Sequence, residues 1–429
     1  MREMKDSGIE WIGEIPSSWK VSKVKYSYDV VLGKMLQPNQ KKDTEELVPY
    51  MCAANITWSG VDLSTEKQMW FSESEKSLYL LKNGDLLVTE GGDVAVSCIW
   101  NNELPLCCIQ NAVHRVRPKN DASNRYLYYW LYMLKSQGYI DLVCNKATLA
   151  HFTKEKLDRC ILVLPPSYEQ KRIASYLDAR CDEIDALIAA KEKTNALLRE
   201  RRQSIIYEAV TKGLDPNAPM KDSGVEWIGE IPEGWELKRL KYLGSMQIGL
   251  TYSPEEIVAD GALVLRSSNI QDGKIVHADD VFVGKEIPEK LKVEEGDILI
   301  CSRNGSRSLI GKNAVITEEF SGQTFGAFMT IFRGRLNFYI KYLLNSSVFD
   351  YYVGSFLTST INQLTTSNLG NILVPVPSTE EEMWKNAEHI ETECRTIDPI
   401  IAMNNETIQK LKEYRQSLIY EAVTGKIEV

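Results

Sequence analysis

The sequence predicts an α+β protein in which two like domains are arranged as a tandem pseudo-repeat and are accompanied by two long helices with a coiled-coil seam. Three observations predict it. Met4–Trp19 reads MKDSGIEWIGEIPSSW and Met220–Trp235 reads MKDSGVEWIGEIPEGW, differing only at Ile9/Val225, Ser17/Glu233 and Ser18/Gly234. Arg202–Thr211 (RQSIIYEAVT) and Arg415–Thr424 (RQSLIYEAVT) differ only at Ile205/Leu418. Between these near-identical joints lie two stretches that resemble each other only in outline, the mark of one scaffold carrying two different heads.

The first domain is expected over 1–165, the central helix over 166–215, the second domain over 216–377 and the C-terminal helix over 378–429. Pro165–Pro166 precede a Ser167/Gln170 pair with capping-box spacing, and Ser378/Glu381 repeat it. Lys212–Gly213 with Pro216, and later Gly425, supply the stops. Apolar residues recur every seventh position: Leu177, Ile184, then Lys191, then Leu198 and Ile205. The second series is Ile390, Ile397, then Asn404, then Leu411 and Leu418, and a shift of 213 superposes the two. Such a sustained heptad reads as a coiled-coil seam, and a polar residue at one core position fixes register at a cost in stability. Pro399 should kink or loosen the second helix.

Each middle, 20–165 and 236–377, holds short β-branched runs broken by Gly, Asn and Asp. GDLLV (Gly84–Val88) matches GDILI (Gly296–Ile300), and Asn55–Ile56 matches Asn269–Ile270. Each ends in a proline-flanked apolar run, and each carries a Tyr-rich helical stretch, Asn124–Met133 and Asn337–Leu344. Each therefore reads as one domain with a mostly antiparallel or mixed sheet.

Bulk properties narrow the function. No apolar run approaches the roughly 18 residues of a membrane span, and MREMKDSG lacks a signal-peptide core. Scattered cysteines without CxxC, and His114, His151, His277 and His389 without ligand spacing, argue against structural zinc or a disulfide framework, and for a cytoplasmic home. A net charge of −9 excludes a protein coated with phosphate-binding charge but leaves room for a local basic track.

No P-loop, HExxH, GxSxG or Pro-Asp dipeptide is present. Leu164–Ser167 lacks the amide and the aromatic of an amino-methyltransferase loop, and Thr89–Gly92 opens no helix. The chain reads as a binder, with no catalytic residue and no metal ligand to assign. What recurs is polar loops able to read bases, since Arg pairs with guanine, Asn with adenine and Ser with either. In the second middle these are Arg266, Ser268 and Asn269, then Ser302, Arg303, Asn304 and Arg307, then Thr358 and Gln363. In the first they are Asn55 and Thr57, Thr89, and Lys146 and Thr148. Taken singly, each is an ordinary polar turn; recurrence at matched places favours the DNA reading.

The WIGEIPxxW block (Trp11–Trp19, Trp227–Trp235), the GDILI strand-turn, the proline-flanked junction and the RQSxIYEAVT helix end together resemble the specificity subunit of a type I restriction-modification system, over essentially the whole chain. Two departures stand out: Glu381–Glu382 where the first junction has Glu169–Gln170, and acidic Glu90 and Asp93 after the first GDLLV. The resemblance implies that each middle is a target-recognition domain reading one half of a bipartite, asymmetric DNA site. It implies an antiparallel coiled coil setting the spacer, and two docked modification subunits that use S-adenosylmethionine to methylate adenine at N6. Motor-nuclease subunits using ATP and Mg would join them in defence against foreign DNA, and this chain would itself do no chemistry. Two rival readings are a coiled-coil scaffold or adaptor without a DNA role, slightly favoured by the −9 charge, and a self-sufficient methyltransferase. The order head, helix, head, helix also predicts that the N- and C-termini lie close together.

Overall fold

The structure, a computed structural model, describes residues 2–144, 151–357 and 362–429. The chain divides into two compact units, Met1–Lys191 with Glu406–Val429, and Glu192–Asn405. Each unit therefore contains the start of one long helix and the end of the other.

In the first unit a hairpin pairs Met4–Asp6 with Glu14–Pro16, and Lys20–Lys23 runs antiparallel to Ile161–Leu164. A four-stranded antiparallel sheet follows the order Ser97–Ile99, Leu86–Thr89, Val113–Pro118, Tyr28–Leu32. A second sheet places Glu46–Met51 between parallel Cys108–Ile109 and antiparallel Lys67–Phe71. The Tyr-rich helix spans Asn124–Ser136, and Ser123 caps it by accepting from the Tyr126 amide at 3.2 Å. Tyr126, Leu127, Trp130, Leu131 and Leu134 are fully buried, as expected for a helix that is apolar on most sides.

The second unit repeats the plan. Its first sheet has the order Ser245–Ile248, Met329–Arg333, Ile298–Cys301, Asn313–Val315, which is the same order read from the other edge. Its second sheet again has one parallel pair, Ala262–Leu265 with Thr324–Phe325, beside antiparallel Phe282–Val283. The expected α+β class with mixed pairing is what the chain forms.

The same buried polar anchors hold both copies. Asp85 and Asp297, 3% and 2% exposed, each receive two bonds from one guanidinium, Arg117 at 2.6 and 2.7 Å and Arg333 at 2.8 and 2.6 Å. The GD dipeptide is thus a turn into a strand, and its carboxylate pins the strand that pairs directly with that one in the sheet. Asn124 donates to the carbonyls of Gly84 and Val116, and Asn337 to those of Gly296 and Phe332. A buried polar group left unpaired is costly, so these bonds specify the strand arrangement more than they stabilise it.

The repeated blocks pack on each other. In the first unit Tyr420 donates to the Trp11 carbonyl at 3.0 Å, Lys426 to the Glu14 carbonyl at 2.5 Å, and Tyr126 to the Val423 carbonyl at 3.0 Å. In the second, Tyr207 donates to the Ile228 carbonyl at 3.2 Å and Tyr339 to the Val210 carbonyl at 3.5 Å. Each entry block therefore meets the helix end that belongs to the other copy in sequence. The N- and C-terminal segments come together in the first unit, as the circular order requires.

The long helices run Ser167–Thr211 and Glu380–Thr424. In the second unit their direction is antiparallel, because Asn386 bonds the Ala209 carbonyl, Asp398 pairs with Arg202 and Asn404 bonds Asn195. In the first unit Arg415 pairs with Asp185 at 3.1 Å. A shift of 213 carries one ion pair onto the other.

Leu177, Ile184, Ile390, Ile397, Asn404 and Leu418 are buried as the heptad requires, whereas Lys191, Leu198, Ile205 and Leu411 are half-buried. A second seam row, unread in the sequence, lies four residues on. It contains Cys181, Ile188, Asn195 and Ala209 in one helix and Cys394, Ile408 and Ala422 in the other, all buried. Asn195 and Asn404, 2% and 3% exposed, exchange a 2.9 Å bond, and Asn195 also donates to Asn405.

Two local expectations need correction. Ser167 donates to the Asp121 carbonyl, and Gln170 bonds the Pro165 carbonyl and the Ser123 amide, so they form no capping box. The C-terminal helix is capped one residue later than expected, by Thr379, whose hydroxyl accepts from the Glu382 amide at 3.3 Å. That helix remains continuous through Pro399, with buried Ile397 before it and buried Asn404 after it in the seam.

Arg333→Ala leaves the Asp297 carboxylate buried without its cation. It should lower stability by about 2–3 kcal/mol in urea unfolding, below the usual cost of breaking a buried pair because part of the Arg333 side chain already reaches water.

Candidate nucleic-acid interface

In the second unit the strand Ile298–Cys301 opens into the loop carrying Ser302–Arg307. The Ser302 and Arg303 amides both donate to the Phe328 carbonyl at 3.0 Å. The Ser302 hydroxyl also donates to that carbonyl, accepts from Thr330 at 3.0 Å, and is 5% exposed. Ser302 is therefore a hinge of the loop and presents nothing outward. Anchored this way, the next side chain emerges: the Arg303 guanidinium carbon lies 5.7 Å from the centre of the Phe328 ring, which is 58% exposed.

Gln363 bridges antiparallel to Arg303, and Asn304 donates to the Ser267 hydroxyl at 3.1 Å. These residues border a cleft of about 540 Å³ lined by Leu250, Arg266, Ser268, Arg303 and Phe328 among others. Arg266 donates through Nη2 to the Asp279 carbonyl, while its Nε and the Ser268 hydroxyl are buried without a partner among the described residues.

The cleft thus gathers Arg266, Ser268 and Arg303 from two separate stretches of sequence, while Asn304 and Gln363 bond to its lining residues Ser267 and Arg303. Arg307 is elsewhere, donating to the carbonyls of Gly354 and Leu357 at the end of the helix Ser347–Phe356, where a cation suits the helix dipole. Thr358 lies outside the described residues.

The two asparagines are buried anchors and not readers. Asn269 is 0% exposed; its Oδ1 accepts from the Arg266 amide, and its Nδ2 donates to Val276, Ala278 and Asp280. Asn55, 1% exposed, does the same with the Cys52 amide and the carbonyls of Asp62 and Thr65. Both ends of each amide are engaged in shaping a tight turn. Thr57 closes the Ile56–Val61 hairpin by donating to Gly60, and Thr89, 2% exposed, donates to the Asp93 carbonyl. Lys146 and Thr148 lie outside the described residues.

Backbone bonds give the first unit's equivalents. The Glu90 amide donates to the Ala112 carbonyl and the Phe152 amide to the Glu90 carbonyl, matching Ser302 to Phe328 and Leu364 to Ser302. Hence Gly91 stands where Arg303 does, Ala112 where Phe328 does and His151 where Gln363 does. Cys52 occupies the position of Arg266, since each amide donates to the turn asparagine. Gln110 and Asn111, joined at 2.6 Å, border this edge. Phe328, Gln110, Asn111 and His151 were not singled out in the sequence. The pairing of Val113–Pro118 and Met329–Arg333 with the GD strands is what brings the residues preceding them to the cleft.

Beside the second cleft, Asp280 accepts from His277 Nδ1 at 2.6 Å. Burial alone would raise the Asp280 carboxyl, but bonds from His277 and Asn269 outweigh it and hold it below the ordinary range. The same His277–Asp280 bond raises the imidazole above its usual value.

A duplicated frame whose matched loops carry different side chains, Gly91 and Arg303, Ala112 and Phe328, Cys52 and Arg266, defines a two-headed recognition protein. Residues 16–197 match the type I restriction modification DNA specificity domain family. The type I restriction enzyme MjaVIII specificity subunit of Methanocaldococcus jannaschii is 24% identical over 97% of this chain and 94% of its own length. The EcoKI specificity subunit of Escherichia coli K12 is 31% identical over 46% of this chain and 44% of its own. A chain from a solved structure, from work on complex assembly and conformational transition of the type I R-M system, shares the fold at a TM-score of 0.69 and 15% identity, covering 96% of this chain and 99% of that one. Residues 16–197 thus carry the type I restriction modification DNA specificity domain, and over nearly its whole length the chain is similar to type I restriction enzyme specificity subunits. No helix among the described residues is long and apolar enough to cross a membrane.

His277 should titrate above 6.5 by NMR, and Asp280→Asn should return it toward that value. Because the folded value is raised, the pair's contribution to stability is full below pH 6.5 and fades as pH climbs through the raised value.

Proposed function

We infer that this chain is the DNA sequence-recognition subunit of a type I restriction-modification complex, each unit reading one half of a bipartite, asymmetric site. The observation that carries this reading is the contrast between frame and cleft. Anchors such as Asp85/Asp297, Trp19/Trp235 and Asn55/Asn269 are identical, while Gly91/Arg303, Ala112/Phe328 and Cys52/Arg266 differ. Identical frames suit one kind of partner bound twice, and unlike side chains at matched places suit unlike base sequences. Two modification subunits dock on the doubled frame, bind S-adenosylmethionine and methylate adenine at N6. Restriction subunits using ATP and Mg complete the assembly, and this chain supplies recognition and no chemistry. The helix pair sets the number of base pairs between the half-sites.

The primary test is an electrophoretic mobility shift with the co-expressed modification subunit across salt concentrations. Binding should be sequence-specific and weaken steeply with salt, because phosphate contacts release counterions; a scaffold without a DNA role shows no shift. Inserting about four residues, ~6 Å of helix, at Lys191 should change the spacer by about one or two base pairs at ~3.4 Å each, as read by sequencing of methylated adenines. Replacing 236–377 with the matching segment of another such subunit should change one half of the target and leave the other intact.

A further inference from the structure

The second unit's cleft has a chemistry that the first unit's lacks. Arg266 and Arg303 both line it, and both positions are occupied by side chains without charge in the first unit, Cys52 and Gly91. Arg303 is exposed, and among the described residues its guanidinium makes no hydrogen bond to the protein beyond its place over Phe328. Its backbone is fixed at both ends of the turn, by the Phe328 carbonyl on one side and the bridge to Gln363 on the other. The cation is thus held in place and its donors are left unspent.

Two ligands could take such a group, a phosphate or a base edge. A phosphate site would favour a polar, positively charged rim. Here the guanidinium rests against an exposed aromatic ring, the walls include Leu250, Phe328 and Met329, and Asp279 stands at the border. An apolar wall with one planar, forked donor fits a base edge, and the forked donor pairs bidentately with the O6 and N7 of guanine. Arg266 contributes differently. Its Nη2 is held by the Asp279 carbonyl, and among the described residues its Nε and the Ser268 hydroxyl, both in the cleft lining, have no partner, so the pair can position what enters.

Building on the recognition reading above, we propose that Arg303 reads a guanine in the half-site of the second unit, with Arg266 and Ser268 positioning the base pair in the cleft. The first unit, with Gly91 at the matching place, lacks this contact, so the two half-sites differ at the corresponding base pair.

The test uses the full chain co-expressed with its modification subunits, with target sites read by single-molecule sequencing of N6-methyladenine. Arg303→Ala should make one G·C position of a single half-site degenerate, lowering preference for guanine there by about tenfold to a hundredfold, with the other half unchanged. Arg303→Gln should shift that position toward A·T, because a glutamine amide pairs with adenine. An unchanged motif, whether methylation falls uniformly or not at all, overturns the proposal, since a phosphate contact carries no sequence information. Relaxation in both halves also overturns it. If the unaltered complex yields no bipartite motif, the recognition reading itself fails, an outcome separate from any effect of Arg303.

Discussion

A buried indole N–H must find an acceptor, and in both units it finds the same one. Trp19 and Trp235, each 1% exposed, donate at 2.8 Å to Glu169 and Glu382 near the start of the long helices. This bond ties the entry block to one helix start, while Tyr420 and Tyr207 tie the same block to the end of the other helix. Three segments far apart in sequence are thereby locked into one corner of each unit. The near-identity of the blocks follows from this physically. Each copy builds the same corner from the entry block of one repeat and the helix end of the other, so a change in either block must fit both partners. The second tryptophan's acceptor also settles the alignment of the two junctions: Glu382, not Glu381, stands opposite Glu169.

The middles escape that constraint once their internal anchors are in place. Asp85 and Asp297 hold the sheet, Asn55 and Asn269 hold the turn, and the carbonyls of Ala112 and Phe328 hold the loop after the GD strand. Each of these bonds has a backbone atom or a buried side chain as at least one partner. The residues between them, Gly91 or Arg303 and Ala112 or Phe328, can change without disturbing the frame. The proposed readout thus falls at positions whose backbone is fixed and whose side chain is not.

The fold was legible in the sequence because repetition reports geometry directly. The joints, the helix limits at Ser167 and Thr211 and the matched GD strands all follow from it. The second seam row was harder to read because polar Asn195 and Arg202 interrupt the apolar pattern; Arg202 and Arg415 belong there through ion pairs with Asp398 and Asp185. In the candidate cleft, residue type alone misled. Asn55 and Asn269 have the chemistry of adenine readers, yet their side chains are consumed by the turns that contain them. Arg307 has the chemistry of Arg303 and serves a helix end. Phe328 drew no notice because its role comes only from the strand pairing that sets it beside the loop.

A net charge of −9 would count against DNA binding if affinity had to come from a diffuse phosphate-binding surface. The structure suggests a different division of labour. Within the second cleft the cations are few and individually placed, and acidic Asp279 and Asp280 stand close by. Such a surface gives little attraction to arbitrary duplex and leaves the wrong sequence with a buried guanidinium facing no acceptor, a penalty of the kind that separates specific from nonspecific binding. On the proposed function, an acidic recognition chain therefore suits a larger assembly, in which sequence-independent grip would come from other subunits and discrimination from a few side chains on fixed backbone.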